Sequence, residues 1–587
     1  MDDQDLDRTI SEITDSDPEH KTASVIKYIG LGLFFIGLSV FLVSLTLNDF
    51  KLTDQTLNEV ITKEAHMLVV KPKLQPMIGK TYVSQFTFVY ELDKALKKGS
   101  KEVDEAISRA KKQLKDLPPN SDKQAGKALT KIDKQLDDLL RDYDENKLSQ
   151  TYMGSYQQGQ YKLYLTKGAG TGLLGNNAWL FFWLSIGLGC FGGLIYFVPK
   201  LWLTHAGIQN DHIYHNPATK GKAIGIIMGS LLIGFYVLLY WYPAYLTNWI
   251  NMVDPISFAI KGSEASRWFL YGLLYTLAIV VMGVRMFIKY RHSKYHLIRT
   301  SSVMFFQTAF AFIIPELLVA FNKPYYDFKN LWPLNYDMFY GYQIDTFLGA
   351  GSLGIFMLAS GIFLTVVGVP VITYFYGKRW YCSWVCGCGG LAETLGDPHR
   401  QLSDKSLNAW KIERWLVHAV LVFVILMTAG VLYTYWSGSS NILGLSSYNV
   451  RSWYGFGIGA LFAGVVGVGF YPFMGNRVWC RFGCPLAAYL GLVQRFKSRF
   501  RITTNGGQCI SCGNCSTYCE MGIDVRWYAQ RGQNIVRSSC VGCGVCSSVC
   551  PRGVLKLENG PEEGRFNEPK AFTITDDGIK MNKDLAA

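Results

Sequence analysis

Long apolar stretches alternate with polar segments along this chain of 587 residues. Eight of the stretches are about 20 residues long, which is the length that a helix needs to cross the hydrocarbon core of a bilayer. The first follows a mostly acidic or polar leader and has no small-residue cleavage site after it, so we interpret it as an anchor rather than a signal peptide. The predicted spans are 28–47, 178–198, 223–242, 268–290, 303–321, 347–375, 415–435 and 453–473.

One long polar segment, residues 48–177, separates the first two spans. Between Lys101 and Leu148 its apolar residues recur at helical spacing, and prolines at 118 and 119 interrupt the repeat. The pattern predicts a two-helix hairpin. The segment has no cysteine, so any redox group in it is bound by other means. Its glycine-rich run 167–172 is compatible with either a covalent flavin attachment site or a flexible linker.

Positive charge is concentrated in alternate loops. The loops after the second, fourth and sixth spans hold 13 Lys and Arg residues, whereas those after the third, fifth and seventh hold 5. Because positive loops stay in the cytoplasm, this asymmetry predicts a multi-pass protein of the bacterial inner membrane with both termini cytoplasmic. The net charge of +13 is then a consequence of topology and requires no nucleic-acid partner.

Cysteines add chemistry to this picture, and eight of the 14 lie near the C-terminus. They form two runs of Cys-x2-Cys-x2-Cys-x3-Cys, the pattern of two-cluster bacterial ferredoxins, in which the fourth cysteine of each run ligates the other cluster. Zinc favours paired Cys-x2-Cys knuckles and disulfides favour an oxidising compartment, so both are weaker interpretations. The predicted [4Fe-4S] ligands are Cys509, Cys512, Cys515 and Cys550 for one cluster, and Cys540, Cys543, Cys546 and Cys519 for the other.

Four further cysteines form two Cys-x3-Cys pairs, Cys382 with Cys386 and Cys480 with Cys484. Each pair follows a span that is predicted to run inward, so we expect both at the cytoplasmic membrane surface. Four thiolates in one plane can bind a further cluster or another thiophilic metal, or act as redox-active dithiols. Packing as small apolar residues is the alternative. Cys388 is an additional candidate ligand or a gate.

Two polar residues inside spans are candidates for a role of their own. A carboxylate such as Glu316 costs about 2.5 kcal/mol or more in a membrane helix, which suggests a proton or quinone role unless the side chain reaches the interface. His418, in the seventh span, is either a haem or quinone contact or an ordinary interface residue.

Paired Cys-x3-Cys motifs after transmembrane helices, with a two-cluster ferredoxin tail behind them, resemble the NosR/NapH group of membrane ferredoxins over about residues 350–560. The paired membrane cysteines of that group map to the two pairs described above, and Pro485 follows the second pair as in the group. Three features depart from it. Gly387 and Cys388 stand where the first motif would carry proline, Glu520 replaces the proline after Cys519, and no NosR-type flavin domain is recognisable in residues 48–177.

The predicted fold is mainly α, a polytopic transmembrane helical bundle with a C-terminal two-cluster ferredoxin-like α+β domain. Residues 1–27 and 561–587 are predicted to be tails, 28–47 the first transmembrane helix and 48–177 an extracytoplasmic domain. A seven-span membrane domain follows at 178–500, and the ferredoxin domain at 501–560.

The resemblance implies a membrane-bound electron carrier between the cytoplasmic or quinone side and an extracytoplasmic redox partner, or a factor that assists the maturation of a metalloenzyme. A redox sensor is a third interpretation. Two [4Fe-4S] clusters are expected, and flavin, haem and quinone have no direct support in the sequence. No nucleophile and base pair and no phosphate loop is evident, so we expect an electron-transfer component without substrate chemistry of its own.

Overall fold

A computed structural model describes residues 18–114, 131–141, 143, 145–204, 206–208, 223–439, 441–442, 444–505, 508–559, 572–575 and 578–581. The chain is mostly helical, and within these residues eight helices are long and apolar enough to cross a membrane, as predicted. These spans, numbered 1 to 8 below, are Lys21–Thr46, Ala178–Trp202, Ala223–Trp241, Arg267–Lys289, Lys294–Ala320, Ser352–Tyr376, Leu407–Ser437 and Ser447–Gly469. Residues 1–17, the proline break at 118–119 and most of 561–587 lie outside the described residues.

Span 6 begins later than its apolar stretch predicts. Residues 347–349 belong to a separate helix, Gly341–Gly349, and the span starts only at Ser352. Gly351 between them has a φ of +69°, a left-handed conformation that a continuous helix does not contain. The predicted start of this span at residue 347 was therefore wrong.

Four spans contain π-helical turns, which are rare inside helices and occur frequently at functional sites. They are Trp183–Gly187, Phe306–Ile313, Leu364–Gly368 and Gly455–Val466. Short helical segments connect span 6 to span 7 and span 8 to the C-terminal domain. They are Arg379–Cys382, Gly387–Thr394, Asp397–Leu402, Tyr471–Met474, the π-helical Trp479–Gly483 and Pro485–Lys497.

The chain divides into two compact units, one of which comprises residues 32–192 and 238–271. Its three-stranded antiparallel sheet has Asn48–Lys51 in the centre, with Thr81–Tyr82 and Gly170–Gly172 at the edges. The predicted helical periodicity is confirmed in the helices Gln85–Leu114 and Lys131–Arg141, whose apolar faces share one core. The other α-helices of this unit outside the spans are, among the described residues, Asp54–Val60, Glu64–Leu74, Glu145–Gln150, Ser155–Ala169, Leu173–Asn176 and Thr247–Lys261.

The glycine-rich run 167–172 is an ordered part of this unit, so its interpretation as a flexible linker was wrong. Gly170–Gly172 pairs with the central strand. Lys167, whose side chain is 5% exposed, forms ion pairs with Asp254 at 2.9 Å and Glu264 at 2.8 Å. Its Nζ also donates a hydrogen bond to the carbonyl of Ala265.

Replacing Lys167 with Met is expected to destabilise this unit by about 3 kcal/mol, because it leaves the half-buried Asp254 without its cation. Thermal unfolding of the detergent-solubilised protein measures the effect. Lys97→Met is the control, since Lys97 is exposed and its ion pair with Asp93 is of the weak surface kind. Equal thermal midpoints for the two variants would contradict the expectation.

The second unit comprises residues 193–237 and 272–587 with the N-terminal residues up to 31, and it contains both cysteine-rich regions. In its C-terminal domain Phe500–Thr504 pairs antiparallel with Leu555–Asn559, so the first and last strands of the domain lie together. Between them lie the short helices Asn514–Thr517, Val525–Gln530 and Val545–Ser548, two of which overlap the cysteine runs. A hairpin, Phe572–Thr575 with Gly578–Met581, follows.

Candidate metal centres

The first predicted ligand set of the C-terminal domain converges on one pocket. Cys509, Cys512, Cys515 and Cys550 all line it, although Cys550 comes from the second cysteine run. Burial raises the pKa of the Cys515 thiol to about 12, and the neighbouring thiols of this set contribute to the rise. Cys512 is exposed. We call these four residues the solvent-side set.

The second predicted set is assembled in the same crosswise manner. The Cys546 thiol, whose pKa is raised by burial, interacts electrostatically with Cys543, Cys540 and Cys519. It also interacts with Cys515, so the two sets are neighbours. Burial likewise raises the pKa of Cys540 to about 11. We call Cys540, Cys543, Cys546 and Cys519 the inner set.

The two Cys-x3-Cys pairs meet in a third place. All four cysteines are buried in one core, and the Cys484 thiol interacts electrostatically with Cys480, Cys386 and Cys382. We call these four the membrane set. Cys388 lies beside them, because its thiol interacts electrostatically with Cys386, Cys480 and Cys484.

The two pairs are built alike. Cys386 precedes the helix Gly387–Thr394 and Cys484 precedes the helix Pro485–Lys497, so each sulfur lies at a helix N-terminus. The partial positive charge there favours the thiolate form that binds metal. Pro485 occupies the first helical position, where its missing N–H and fixed φ cost nothing.

Gly387 stands in the same position of the first helix, and the structure explains why proline is absent there. A Cβ on Gly387 would lie 3.0 Å from Oε1 of Gln307 and 3.4 Å from Nζ of Lys329. A proline ring at this position would therefore be in tight contact with the ends of these two polar side chains. The departure from the group's motif follows from close packing around the first pair.

The surroundings of Gly387 also show where the helix after the first pair packs. Gln307 lies in the middle of span 5, and Tyr275, whose hydroxyl is 3.5 Å from the same Cβ position, lies near the middle of span 4. Three residues further on, a Cβ on Gly390 would lie 2.6 Å from Cγ1 of Val303 in span 5. The helix after Cys386 therefore folds back between spans 4 and 5, and the location of this pair at the membrane surface stays a prediction.

The segment between spans 5 and 6 reaches this region from the opposite ends of the spans. The Trp332 carbonyl accepts a hydrogen bond from Thr365, in the middle of span 6, and its indole donates to Thr428 of span 7. The Lys329 carbonyl accepts a hydrogen bond from Tyr381, next to Cys382, at 2.7 Å. Irregular backbone at this depth is tolerated because protein surrounds it.

Hydrogen bonds attach the C-terminal domain to the membrane region at the inner set. Lys378 donates to the Ser538 carbonyl at 2.7 Å, and Ser383, next to Cys382, donates to the Val541 carbonyl at 2.8 Å. Gln494 donates to the carbonyls of Arg537 and Cys540. The loop that leads into Cys540 and Cys543 is therefore held against the membrane set.

Buried charges occupy the space between the inner set and the membrane set. Glu393 forms ion pairs with Arg299, Arg400 and Arg477 at 3.1, 2.7 and 2.6 Å, and every one of these side chains is at most 2% exposed. Glu520 pairs with Arg400 at 2.7 Å and with Arg477 at 3.0 Å. The carboxylates lie within 4.8 Å of the Cys543 sulfur, but guanidinium groups occupy the positions that a cation would take.

Sequence reasoning missed this network, because its members come from distant parts of the chain. One signal was available. Glu520 was noticed only as a departure from the motif, yet a carboxylate beside a cluster ligand needs a cationic partner when it is buried.

Of the two polar residues in the spans, His418 lines a small cavity and Glu316 is buried. His418 lines a cavity with Lys378, Glu413, Cys480 and Arg481. Its volume of about 20 Å³ is enough for one water molecule, not for a haem or a quinone. Glu316 is buried at 6% exposure in span 5.

Three segments match models of iron-sulfur domains. Residues 359–406 and 456–503, each with one Cys-x3-Cys pair, match a 4Fe-4S binding domain, and residues 508–555 match a 4Fe-4S dicluster domain. Together with the grouped cysteines, these matches define an iron-sulfur electron-transfer protein of the membrane that carries two or more [4Fe-4S] clusters.

Three bacterial proteins are similar to part of the chain, and they confirm the resemblance to NapH-type ferredoxins. YccM of Escherichia coli K12, named as a candidate electron transport protein, is 28% identical over 25% of this chain and 43% of its own length. The methylamine utilization ferredoxin-type protein MauN of Paracoccus denitrificans is 29% identical over 26% of this chain and 53% of its own. The ferredoxin-type protein NapH of E. coli K12 is 28% identical over 27% and 53%.

The chain thus spans about half the length of the curated relatives that it matches. No solved structure matches it.

Proposed function

We propose that this protein relays single electrons through three [4Fe-4S] sites in series, from a cytoplasmic or quinol donor to an extracytoplasmic acceptor. The observation that supports this proposal most directly is that each cysteine set lies next to the following one. The solvent-side set adjoins the inner set through Cys515 and Cys546. The inner set is joined to the membrane set by Arg400, Glu520 and Arg477.

Exposure suggests where electrons are exchanged with a soluble partner. Cys512 of the solvent-side set is exposed, whereas all four cysteines of the membrane set are buried. A carrier protein can approach the first set closely but not the last. The solvent-side cluster is therefore the docking point for a cytoplasmic redox protein, and the pocket residues Arg526 and Arg552 favour an acidic one.

The other end of the relay is the segment between spans 5 and 6. It contacts the residue beside Cys382 through Lys329, and Lys329 interacts electrostatically with Cys386. Because this segment connects the ends of spans 5 and 6 that face away from the C-terminal domain, it supports electron exchange with the opposite side of the membrane. The domain at 48–177 is predicted to lie on that side, where it offers a docking surface for the acceptor.

The orientation is tested by reporter fusions. Fusions after Tyr242, Phe321 and Tyr435 are expected to report an extracytoplasmic location, and fusions after Val198, Tyr290 and Lys405 a cytoplasmic one, because of the positive-inside rule. An inverted pattern would place the ferredoxin domain outside and reverse the relay.

The number of clusters is the central test of the function. Anaerobically purified protein is expected to contain roughly 12 iron and 12 sulfide per chain, and a Cys382→Ser/Cys480→Ser variant roughly 8 of each, since each cubane holds four iron atoms. A native content of roughly 8 iron with another metal bound would favour a metal-handling maturation factor instead. Flavin and haem are quantified in the same samples.

A further inference from the structure

We propose that Arg400 and Arg477, held together by Glu520, set the reduction potentials of the inner cluster and the membrane cluster and hold the two at a fixed separation. The inference rests on the proposed function, since it requires a cluster on the membrane set. It assigns a role to the buried charges that lie between the two sites.

The two arginines direct N–H groups at cluster sulfurs on opposite sides of one carboxylate. Nη1 of Arg400 lies 3.8 Å from Sγ of Cys543 and 2.7 Å from Oε2 of Glu520. Nη1 of Arg477 lies 3.8 Å from Sγ of Cys480, and its Nη2 lies 3.0 Å from Oε1 of Glu520. Glu520 therefore links a donor of the inner set to a donor of the membrane set through its two oxygens.

Other partners fix the orientation of each guanidinium group. Glu393 binds Nη2 of both arginines, at 2.7 and 2.6 Å, and Nε of Arg400 lies 3.3 Å from Oδ1 of Asp397. Arg477 also donates to the Cys382 carbonyl at 3.2 Å. The amide of Asn476 donates to Glu520 at 3.2 Å. A planar fork with this many contacts cannot rotate away from its sulfur, which a lysine ammonium on a flexible stem could do.

The charge balance of the network is positive. Arg299, Arg400 and Arg477, with Arg285 and Lys289 on Asp397, face only three carboxylates. All three carboxylates are at most 2% exposed. Reduction adds negative charge to a cluster whose thiolate ligands are already anionic, and both positive charge and N–H donors near the sulfurs stabilise the reduced form. Each arginine is therefore expected to raise the potential of the cluster that it contacts.

Glu520 has the opposite electrostatic sign but a necessary role. Together with Glu393, which pairs with the same two arginines, it offsets the repulsion between two guanidinium groups in a buried site. The group's proline at this position could not bridge them. The two arginines therefore account for the glutamate that this chain has in place of the group's proline.

The test is a potentiometric titration of the anaerobically purified full chain, followed by electron paramagnetic resonance of each cluster. Arg400→Gln is expected to lower the potential of the inner cluster, and Arg477→Gln that of the membrane cluster. Loss of a charged donor should change the equilibrium constant for reduction at least tenfold, which for one electron is about 59 mV. Glu520→Gln is expected to raise both potentials.

Arg285→Gln is the matched control, since Arg285 pairs with Asp397 in the same network and, among the contacts of the described residues, donates to no sulfur. Because it contributes charge to the network but no N–H group to a sulfur, its potentials are expected to fall by clearly less than those of the two glutamine variants. If the glutamine variants of Arg400 and Arg477 keep native iron and native potentials, or if Arg285→Gln shifts them equally, the proposal is wrong.

If the glutamine variants lose their clusters, the variants Arg400→Lys and Arg477→Lys test the proposal instead. They keep the charge but lose the fork, so a smaller lowering of the matching potential is expected. Native potentials in both lysine variants would mean that the N–H groups of the arginines do not tune the clusters, which would contradict the proposal. Failure of the proposed function itself would be seen separately, as the absence of a third cluster signal in the native protein.

Discussion

Each single Cys→Ser replacement in the membrane set, at Cys382, Cys386, Cys480 or Cys484, is expected to abolish electron delivery across the membrane. Residues that complete one cluster lose their function together, so double variants should be no worse than single ones. The two ferredoxin clusters should remain spectroscopically intact, because they have eight ligands of their own. Acceptor reduction in inverted vesicles, with a reduced soluble donor, measures delivery.

Cys190→Ser is the matched control, since Cys190 lies within span 2 and belongs to none of the three sets. It should transfer electrons at the native rate. Native rates in all four variants of the membrane set would show that its cysteines only pack the core and that the relay bypasses them. Additive losses, with doubles much worse than singles, would argue against one shared site.

Replacing Cys512 and Cys543 together is expected to remove the reduced-cluster signals of both ferredoxin sites. Single replacements of the fourth cysteine of each run test the ligand assignment more sharply. Cys550→Ser should perturb the solvent-side cluster and Cys519→Ser the inner cluster, although each residue follows the other set's run in the sequence. The reason is the crosswise convergence of the thiols, with Cys550 in the pocket of the solvent-side set and Cys519 beside Cys546.

Electron paramagnetic resonance and iron content measure this outcome, with Cys190→Ser again as the control. If Cys550→Ser left the solvent-side signal unchanged and removed the inner one, each run would ligate its own cluster. The proposed order of the three sites in the relay would then lose its support. Retention of both signals in the Cys512 and Cys543 double variant would reject the ligand assignment entirely.

The linear sequence was sufficient for the parts of this protein that are encoded locally. A run of about 20 apolar residues has one stable structure in a bilayer, so the eight spans were predictable from hydropathy. The Cys-x2-Cys-x2-Cys-x3-Cys spacing is equally local, because three thiolates on one tight loop satisfy a cubane directly. Helical spacing predicted the helices around Ile107 and Leu136 for the same reason.

Tertiary structure alone decided what depends on contacts between distant segments. The fold-back of Gly387–Thr394 is invisible to a hydropathy window, since a short helix of small residues carries no span signal. The run at 167–172 has the composition of a linker, and only its pairing with the strand Asn48–Lys51 makes it ordered. The start of span 6 depended on one backbone angle at Gly351.

The region between the inner set and the membrane set shows most clearly what the sequence could predict and what only the folded structure decided. The sequence by itself determined which cysteines are available and how they are spaced. It could not show that Arg400, Arg477 and Glu520 meet between Cys543 and Cys480, because residues up to 143 positions apart make those contacts. Buried charges are stable only when all partners are present together, so their pairing is a property of the folded chain and not of any local motif.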